Sequence, residues 1–283
     1  MARESRRRPG PEVADRGSRI LGSAATAAVS TVVVFGLLAF AITHAPGWPE
    51  VRQTFLDWGQ FKATLPEISR AFLLNVKMFC IAEVFILVFA LLIAVLRSLP
   101  GPAALPLRIL GIAYADFFRG VPTILVIATL GFGAPALQLQ GVPRSTTFWG
   151  IVSLVLVYTA YVSEVYRAGI ESVHPSQAAA ARSLGLNHWQ ALRTVVLPQA
   201  VRRVIPPLLN DFIGLQKDTA LVALIGPVEA FRQAQLNASA TFNFTPYVVA
   251  AVIFVAFTIP LARLTDYLNE RSRRRRVAAG IAA

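Results

Sequence analysis

The chain has 283 residues, of which 55% are hydrophobic and only 15% are charged, and its formal net charge is +12. An ordinary soluble domain has about 25% charged residues, whereas the mean hydropathy here is +0.57, so the composition excludes a water-soluble enzyme, a coiled coil and a disordered tail. The basic residues flank long apolar runs and form no patch on a polar surface, which argues against a nucleic-acid-binding protein. The composition is typical of a helical membrane protein.

The first charge-free window, residues 20–43, predicts a membrane helix behind an Arg-rich tail, residues 1–19. At 1.5 Å per residue this window crosses ~30 Å of hydrocarbon. A secretory signal peptide shows the same order of charged and apolar residues, but its apolar region is usually ~7–15 residues long. We therefore favour an uncleaved helix. Residues 44–70, with Trp48 and Trp58, predict an extracytoplasmic segment, either lying along the outer interface or forming an ordinary loop.

Further apolar windows predict five more spans, so that the simplest interpretation is an all-α bundle of six membrane helices. Thr245 and Pro246 are typical of an N-cap and a first-turn proline, and they would open the last helix. The single cysteine, Cys80, and three scattered histidines predict neither a disulfide nor a metal site. The five windows are 71–96, 120–143, 145–163, 204–228 and 247–267.

The basic residues predict the orientation of these spans. With the N-terminus in the cytoplasm, eighteen Arg and Lys residues fall in inside segments and five in outside segments. Cytoplasmic loops carry such an excess of Arg and Lys. Both termini are therefore predicted to be cytoplasmic, and the basic ends, including the tail 271–283, are topology signals.

Charged residues inside a membrane span are costly and are functional candidates by default. Glu83 lies near mid-depth of the second span, where a pocket wall for a substrate ammonium and a paired structural carboxylate are equally plausible. Asp211, Lys217 and Asp218 share the fifth span, with the two aspartates on one face, which favours a pore-lining or gating helix. Lys77 lies near the outer end of its span and is predicted to snorkel.

A second group of candidates lies at the predicted cytoplasmic mouth. Asp116 and Arg119 are three residues apart, a spacing that favours a local ion pair on a helix. Gly120 and Pro122 follow directly. We interpret this group as a fixed hinge in preference to a substrate contact.

Residues 171–200, the loop after the fourth predicted span, carry the signals of two short helices, and we call them the helix–glycine–helix element. Ser176 is predicted to cap a helix through an alanine run, and Gly185 to end it in the left-handed conformation. Asn187 and the glutamine three residues later are typical of a capping box that opens the second helix, which Pro198 is predicted to stop. Such an element fits the groove of another protein, although spacing alone also allows a plain connecting hairpin.

This element resembles the EAA loop of the permease subunits of ABC importers. The family pattern is Glu-Ala-Ala, three residues, glycine, nine residues, isoleucine, one residue, Leu-Pro. Here Ala179 stands in place of the usual glutamate and Val195 in place of isoleucine, and the spacing matches throughout. The matching residues are Ala179, Ala180, Ala181, Gly185, Leu197 and Pro198.

Four stretches in order are similar to the polar-amino-acid branch of that family. The resemblance covers residues 71–270 and implies a five-span permease core preceded by one extra helix, with Thr219 joining the candidates for the path or gate. The stretches are Tyr114-Ala115-Asp116-Phe117-Phe118-Arg119-Gly120-Val121-Pro122, Glu164-Val165-Tyr166-Arg167-Ala168-Gly169-Ile170, Leu197-Pro198-Gln199-Ala200 and Lys217-Asp218-Thr219-Ala220-Leu221.

The resemblance implies that this chain takes up polar amino acids as one of several subunits. A second permease subunit, identical or related, would complete the path, an ATPase subunit would dock on the helix–glycine–helix element, and an extracytoplasmic binding protein would deliver the amino acid. ATP and Mg²⁺ would belong to the ATPase subunit, because none of Lys62, Lys77 and Lys217 follows a glycine as a P-loop requires. The chain itself would be no enzyme and would hold no cofactor.

Two alternatives remain on the residues alone. An ATP-independent secondary transporter or channel for small polar solutes would also span the membrane several times, with Glu83 or Asp211 as a proton carrier, but it would have no use for a docking element. A membrane-anchored scaffold would not need charged residues within its spans. The surrounding lipid is a partner in every case.

Overall fold

The computed structural model describes residues 11–99 and 101–278, and within these residues it is built from helices without a β-strand. The predicted all-α class is confirmed. Residues 1–10 and 279–283, the ends of the two predicted basic tails, lie outside the described residues. The helices are α1 (Pro11–Thr43), α2 (Trp48–Phe55), α3 (Trp58–Ser98), α4 (Leu105–Gly120), α5 (Thr123–Ala136), α6 (Thr146–Glu171), α7 (Pro175–Ser183), α8 (His188–Ala191), α9 (Leu197–Asp218), α10 (Ala230–Thr241) and α11 (Thr245–Ala278).

The chain divides into two compact units, the first ending at Leu56 and the second beginning at Asp57. In the first unit, the apolar side chains of residues 26–43 of α1 are exposed, as Val32 (72%) and Phe35 (68%) show. Thr26–Thr43 of this helix is long and apolar enough to cross a membrane. Its role as an extra membrane helix stays a prediction.

Among the described residues, four helical stretches are long and apolar enough to span a membrane, and one bent helix pair raises this number to five. Two predicted spans differ from the structure. Residues 120–143 form no single helix, because α4 and α5 meet at an angle of 99° and α5 has only 14 residues. Residues 204–228 are absent from the candidates: α9 ends at Asp218 and a 3₁₀ segment, Thr219–Ile225, follows. The stretches are Thr26–Thr43, Trp48–Ser98, Thr146–Glu171 and Thr245–Arg271, and the bent pair is Pro102–Gly120 with Thr123–Ala136.

The second unit is organised around α3 and α6. Asp57 caps α3 by accepting hydrogen bonds from the backbone N–H groups of Gly59 (2.7 Å) and Gln60 (3.1 Å), and the helix then runs 41 residues without a break. The part of the predicted interfacial segment 44–70 that follows Asp57 is therefore the first turns of α3. A stripe of five fully buried side chains at four-residue spacing faces the core. Three of the five are alanine, and their small size lets the helices approach closely. The stripe is Met78, Ala82, Ile86, Ala90 and Ala94.

The 3₁₀ segment Thr219–Ile225 packs against two helices at their glycines. A Cβ atom added at Gly131 of α5 would meet Ile225 Cδ1 at 2.5 Å, and one added at Gly150 of α6 would meet Val222 Cγ1 at 2.4 Å. These contacts leave no room for a larger residue. The glycines thus fix the segment that directly follows α9.

At the start of α11, the side chain of Asn243 takes the part that was predicted for Thr245, two residues later. The helix already includes Thr245, and the side-chain oxygen of Asn243 accepts a hydrogen bond from the Thr245 N–H at 2.8 Å. The Thr245 hydroxyl instead accepts a hydrogen bond from the backbone N–H of Asp57 at 3.1 Å. It thereby ties the start of α3 to the start of α11.

Candidate functional site

The helix–glycine–helix element begins with α7, whose cap differs from the predicted one. The side chain of His174, and not that of Ser176, precedes the helix and accepts a hydrogen bond from the Ser176 N–H at 3.2 Å. Pro175 occupies the first helical position, where a missing N–H costs nothing. Ser176 therefore lies inside the first turn of α7.

Gly185 ends α7 in the left-handed conformation, as predicted, with φ at +90°. The N–H of Gly185 donates to the carbonyl of Arg182 at 3.0 Å, and the N–H of Leu186 donates to the carbonyl of Ala181 at 3.3 Å. This pair of hydrogen bonds is the Schellman motif, which needs a residue that tolerates positive φ. The turn between the two helices is therefore fixed by backbone geometry.

The second helix opens with the predicted capping box. The Asn187 N–H donates to Gln190 Oε1 at 2.9 Å, and the Gln190 N–H donates to Asn187 Oδ1 at 2.8 Å. The predicted stop at Pro198 is wrong. A π-helical turn, Leu192–Val196, joins α8 to α9, and Pro198 stands in the first turn of α9, a position that proline tolerates.

The element is anchored on α6 and α9. Buried Val173, Val196 and Ala200 form one apolar cluster with Ile170 and Leu192 packed against it. In addition, the guanidinium of Arg203 on α9 donates to the carbonyl of Ser172 at the end of α6. Apolar packing and this hydrogen bond therefore tie the element to both helices.

The far side of the element exposes two large apolar side chains. Leu184 is 86% exposed and Trp189 is 67% exposed, and they flank the Gly185 turn. Exposed apolar side chains at one spot commonly mark a surface for another protein. Around the same turn Ala179, Arg182, Ser183 and Gly185 line an open depression of about 600 Å³.

An ion cluster joins α3, α4 and α6 at the end of the bundle near this element. Glu164 accepts hydrogen bonds from Arg97 (2.9 Å) and from Arg167, and its carboxylate lies 3.9 Å from the guanidinium of Arg119. The side chain of Arg97 is only 10% exposed, so it depends on this carboxylate. The predicted Asp116–Arg119 ion pair is absent from the described residues, because Arg119 turns toward Glu164 and Asp116 is exposed.

A cavity of about 350 Å³ lies beside the ion cluster, between α6 and α9 with Arg119 of α4. Its polar lining includes Arg119, Glu164, Arg203 and Asp211, two positive and two negative groups. One carboxylate oxygen of Asp211 is buried and accepts no hydrogen bond. The cavity therefore offers charges of both signs to a small solute.

The structure places the charged candidates of the predicted spans in three different surroundings. Glu83 on α3 and Asp211 on α9 lie within electrostatic range of each other. Asp218 accepts a hydrogen bond from the Tyr158 hydroxyl of α6 at 2.9 Å. Lys217 is exposed and lines none of the cavities described here.

Thr219 belongs to a buried polar network that sequence reasoning did not find. Asn75 of α3 donates to the Thr219 hydroxyl at 3.0 Å and to the Glu229 carboxylate at 2.8 Å, while Glu229 caps α10 through the N–H groups of Phe231 and Arg232. Asn75 and Glu229 are both fully buried. The only sequence signal for this network was Asn75, a lone amide in an apolar run. Thr219 is a hydrogen-bond partner within the network.

The chain matches, over residues 105–274, the family described as binding-protein-dependent transport system inner membrane component. Two relatives come from Bacillus subtilis (strain 168). A probable glutamine ABC transporter permease protein, GlnM, is 37% identical over 169 residues, which is 59% of this chain and 76% of that protein. A probable amino-acid permease protein, YxeN, is 33% identical over 218 residues, which is 77% of this chain and 96% of that protein.

Solved structures share the fold. A crystal structure of an amino acid ABC transporter with histidines has a chain that is 29% identical, with a TM-score of 0.67 over 77% of this chain and 98% of that one. An inward-facing structure of the MetNI methionine ABC transporter matches with a TM-score of 0.58 at 18% identity, covering 72% of this chain and 95% of that one. The second likeness concerns the fold alone.

Proposed function

Because the chain belongs to the family of binding-protein-dependent transport system inner membrane components, we propose that it forms the substrate path of an ABC importer for polar amino acids. Its relatives include proteins named as glutamine and amino-acid permeases, which supports that substrate class. As a multi-pass membrane protein it supplies the path, and a separate ATPase subunit supplies the energy.

The helix–glycine–helix element carries this proposal. It presents exposed Leu184 and Trp189 at a turn that the Gly185 backbone fixes, and it is anchored to the ends of α6 and α9. A docked ATPase subunit would hold the exposed side, and the anchored side would move with it. We place this element and both termini in the cytoplasm, in agreement with the excess of basic residues there.

The movement would reach the cavity directly, because α6 and α9 supply most of its lining. Closure of two ATPase subunits on ATP would displace the element, and α6 and α9 would follow as rigid helices between inward- and outward-facing states. ATP and Mg²⁺ belong to the ATPase subunit. An extracytoplasmic binding protein would deliver the substrate, and a second permease subunit would complete the path.

The charges around the path suit an amino-acid zwitterion. Arg119 and Arg203 offer donors for a carboxylate, and Asp211, together with the nearby Glu83, offers acceptors for an ammonium group. Charges of opposite sign interact more strongly with a polar solute where the effective dielectric constant is low, as it is inside a protein, than they do in water. We therefore place the transient contacts of the substrate along α3, α6 and α9.

Uptake of a labelled amino acid by cells that make the complete transporter tests this proposal. We expect Glu83→Gln to lower the initial uptake rate about tenfold or more, since one hydrogen bond to a charged group contributes about 1.5–3 kcal/mol. The complex should still purify intact. The matched control is Asp266→Asn, because the side chain of Asp266 is 71% exposed and outside the cavity.

Three outcomes of this uptake experiment have distinct meanings. Normal uptake by Glu83→Gln cells would make Glu83 a structural residue. Loss of the purified complex in the same variant would assign Glu83 to assembly. Cells that lack this chain altogether yet show unchanged uptake of every polar amino acid would contradict the proposed function.

A further inference from the structure

A long apolar groove lies on the second unit, between α3 and α6, and it shares no lining residue with the charged cavity. Its volume is about 730 Å³, within the range of ~300–1,000 Å³ that is usual for a ligand pocket. Ile81, Phe85 and Phe89 line it from α3 at four-residue spacing, and Phe148 and Val152 line it from α6. Aromatic and aliphatic side chains thus form both walls.

The walls of the groove are open to their surroundings. Phe85 is 48% exposed, Phe89 is 43% exposed and Phe148 is 42% exposed. Both helices belong to the stretches that are long and apolar enough to span a membrane, so we place the groove at the depth of the bilayer hydrocarbon. An open apolar groove at this depth is filled by acyl chains or by another membrane helix.

One end of the groove is polar and positively charged. Lys77, Ser145 and Thr147 line it there, and Lys77 is exposed without an ion-pair partner among the residues that the structure describes. Lys77 lies near the outer end of the predicted span 71–96, from where its long side chain can snorkel to the depth of lipid headgroups. Trp149 follows Ser145 and Thr147 closely in the sequence, and its indole N–H donates to the carbonyl of Pro143 at 2.8 Å. Tryptophan is enriched at the membrane–water interface.

The length of the groove matches a lipid tail. Lys77 and Ile93, which line its two ends, are sixteen residues apart on one helix, or ~24 Å at 1.5 Å per residue. One leaflet supplies about half of the ~30 Å hydrocarbon core, so a tail from the Lys77 end fits inside with room to spare. A chain of methylenes also buries the exposed phenylalanine rings.

We propose that this groove holds an acyl chain of an anionic glycerophospholipid, whose phosphate binds the ammonium of Lys77. The hydroxyls of Ser145 and Thr147 lie at the same end and donate to the phosphate oxygens; the Ser145 oxygen meanwhile accepts from the Phe148 N–H at 3.3 Å. A charge at the headgroup end favours an anionic lipid over a zwitterionic one. This inference does not depend on which solute the protein transports.

Native mass spectrometry of the purified complex, after delipidation and addition of phosphatidylglycerol, tests the inference. We expect Lys77→Gln to lower the retained phosphatidylglycerol about fivefold, the effect of losing one lysine near an anionic lipid surface. The matched control is Lys62→Gln, since the Lys62 ammonium lies 5.2 Å from the ring centre of Trp58 and outside the groove. That control should retain lipid as the wild type does.

A second variant separates the groove from the charge. Val152→Trp fills the groove while leaving Lys77 in place, and we expect it also to lose the lipid, with its thermal unfolding checked against the wild type. Retention at the wild-type level in either variant overturns the inference. So does a disulfide between two copies of a Cys80→Ser, Phe89→Cys chain in native membranes, because it would show that protein occupies the groove.

Discussion

Gly185→Pro is expected to weaken binding of the ATPase subunit at least tenfold while leaving membrane insertion intact. Proline fixes φ near −65° and has no N–H, whereas Gly185 has a φ of +90° and donates its N–H to Arg182. The turn that separates α7 from α8 would therefore be rebuilt, which costs about 1–3 kcal/mol and displaces Leu184 and Trp189. A pull-down of the purified ATPase subunit on the detergent-solubilised chain measures the loss.

Gly185→Asn is the control for this substitution. Asparagine is the residue that most often replaces glycine at a left-handed helix end, and no heavy atom lies within 4 Å of a Cβ added there. We expect its ATPase binding to stay within a factor of about three of the wild type. Equal recovery of the partner by the proline variant would show that the turn is no part of the docking surface.

Glu164→Gln is expected to destabilise the permease by about 2–4 kcal/mol, because it removes the only carboxylate that pairs with Arg97 among the described residues. The Nε of Arg97 is already buried without a hydrogen-bond partner, and Arg119 and Arg167 would repel it once the negative charge is gone. Breaking a largely buried pair from one side leaves an uncompensated charge, and this cost exceeds the worth of the pair itself. Thermal unfolding of the purified chain, followed by tryptophan fluorescence, gives the change.

Glu171→Gln serves as the matched control because it removes a carboxylate about two turns further along α6. Its side chain is 60% exposed, so its contact with Arg167 contributes less than about 1 kcal/mol. We expect a shift in unfolding temperature several times smaller than that of Glu164→Gln. Similar shifts for the two variants would mean that the ion cluster does not hold the three helices together.

Local spacing predicted the features that depend on local backbone chemistry. The left-handed Gly185 and the capping box at Asn187 and Gln190 were predictable because their hydrogen bonds stay within a few residues. The prediction for Pro198 was wrong because proline is as compatible with the first turn of a helix as with its end. Here the π-helical turn Leu192–Val196 continues directly into α9, so Pro198 stands at the start of a helix and not at the end of one.

Partners that are distant in the sequence were beyond prediction. Arg97 and Glu164 are 67 positions apart, and Asn75 and Glu229 are 154 positions apart. A single sequence shows that each is polar in an apolar setting, but not which helices bring them together. The prediction of an Asp116–Arg119 pair was wrong for the same reason. Glu164, which Arg97 and Arg167 already hold in place, competes for the guanidinium of Arg119.

Reconstitution into liposomes tests most directly the central claim that this chain is a gate driven by a separate ATPase. The permease, its ATPase subunit and the binding protein would be incorporated with ATP on the side of the helix–glycine–helix element, and accumulation of labelled amino acid would be followed over time. We predict accumulation against a gradient only when the ATPase subunit and hydrolysable ATP are both present. Accumulation by the permease alone, without nucleotide, would contradict the account.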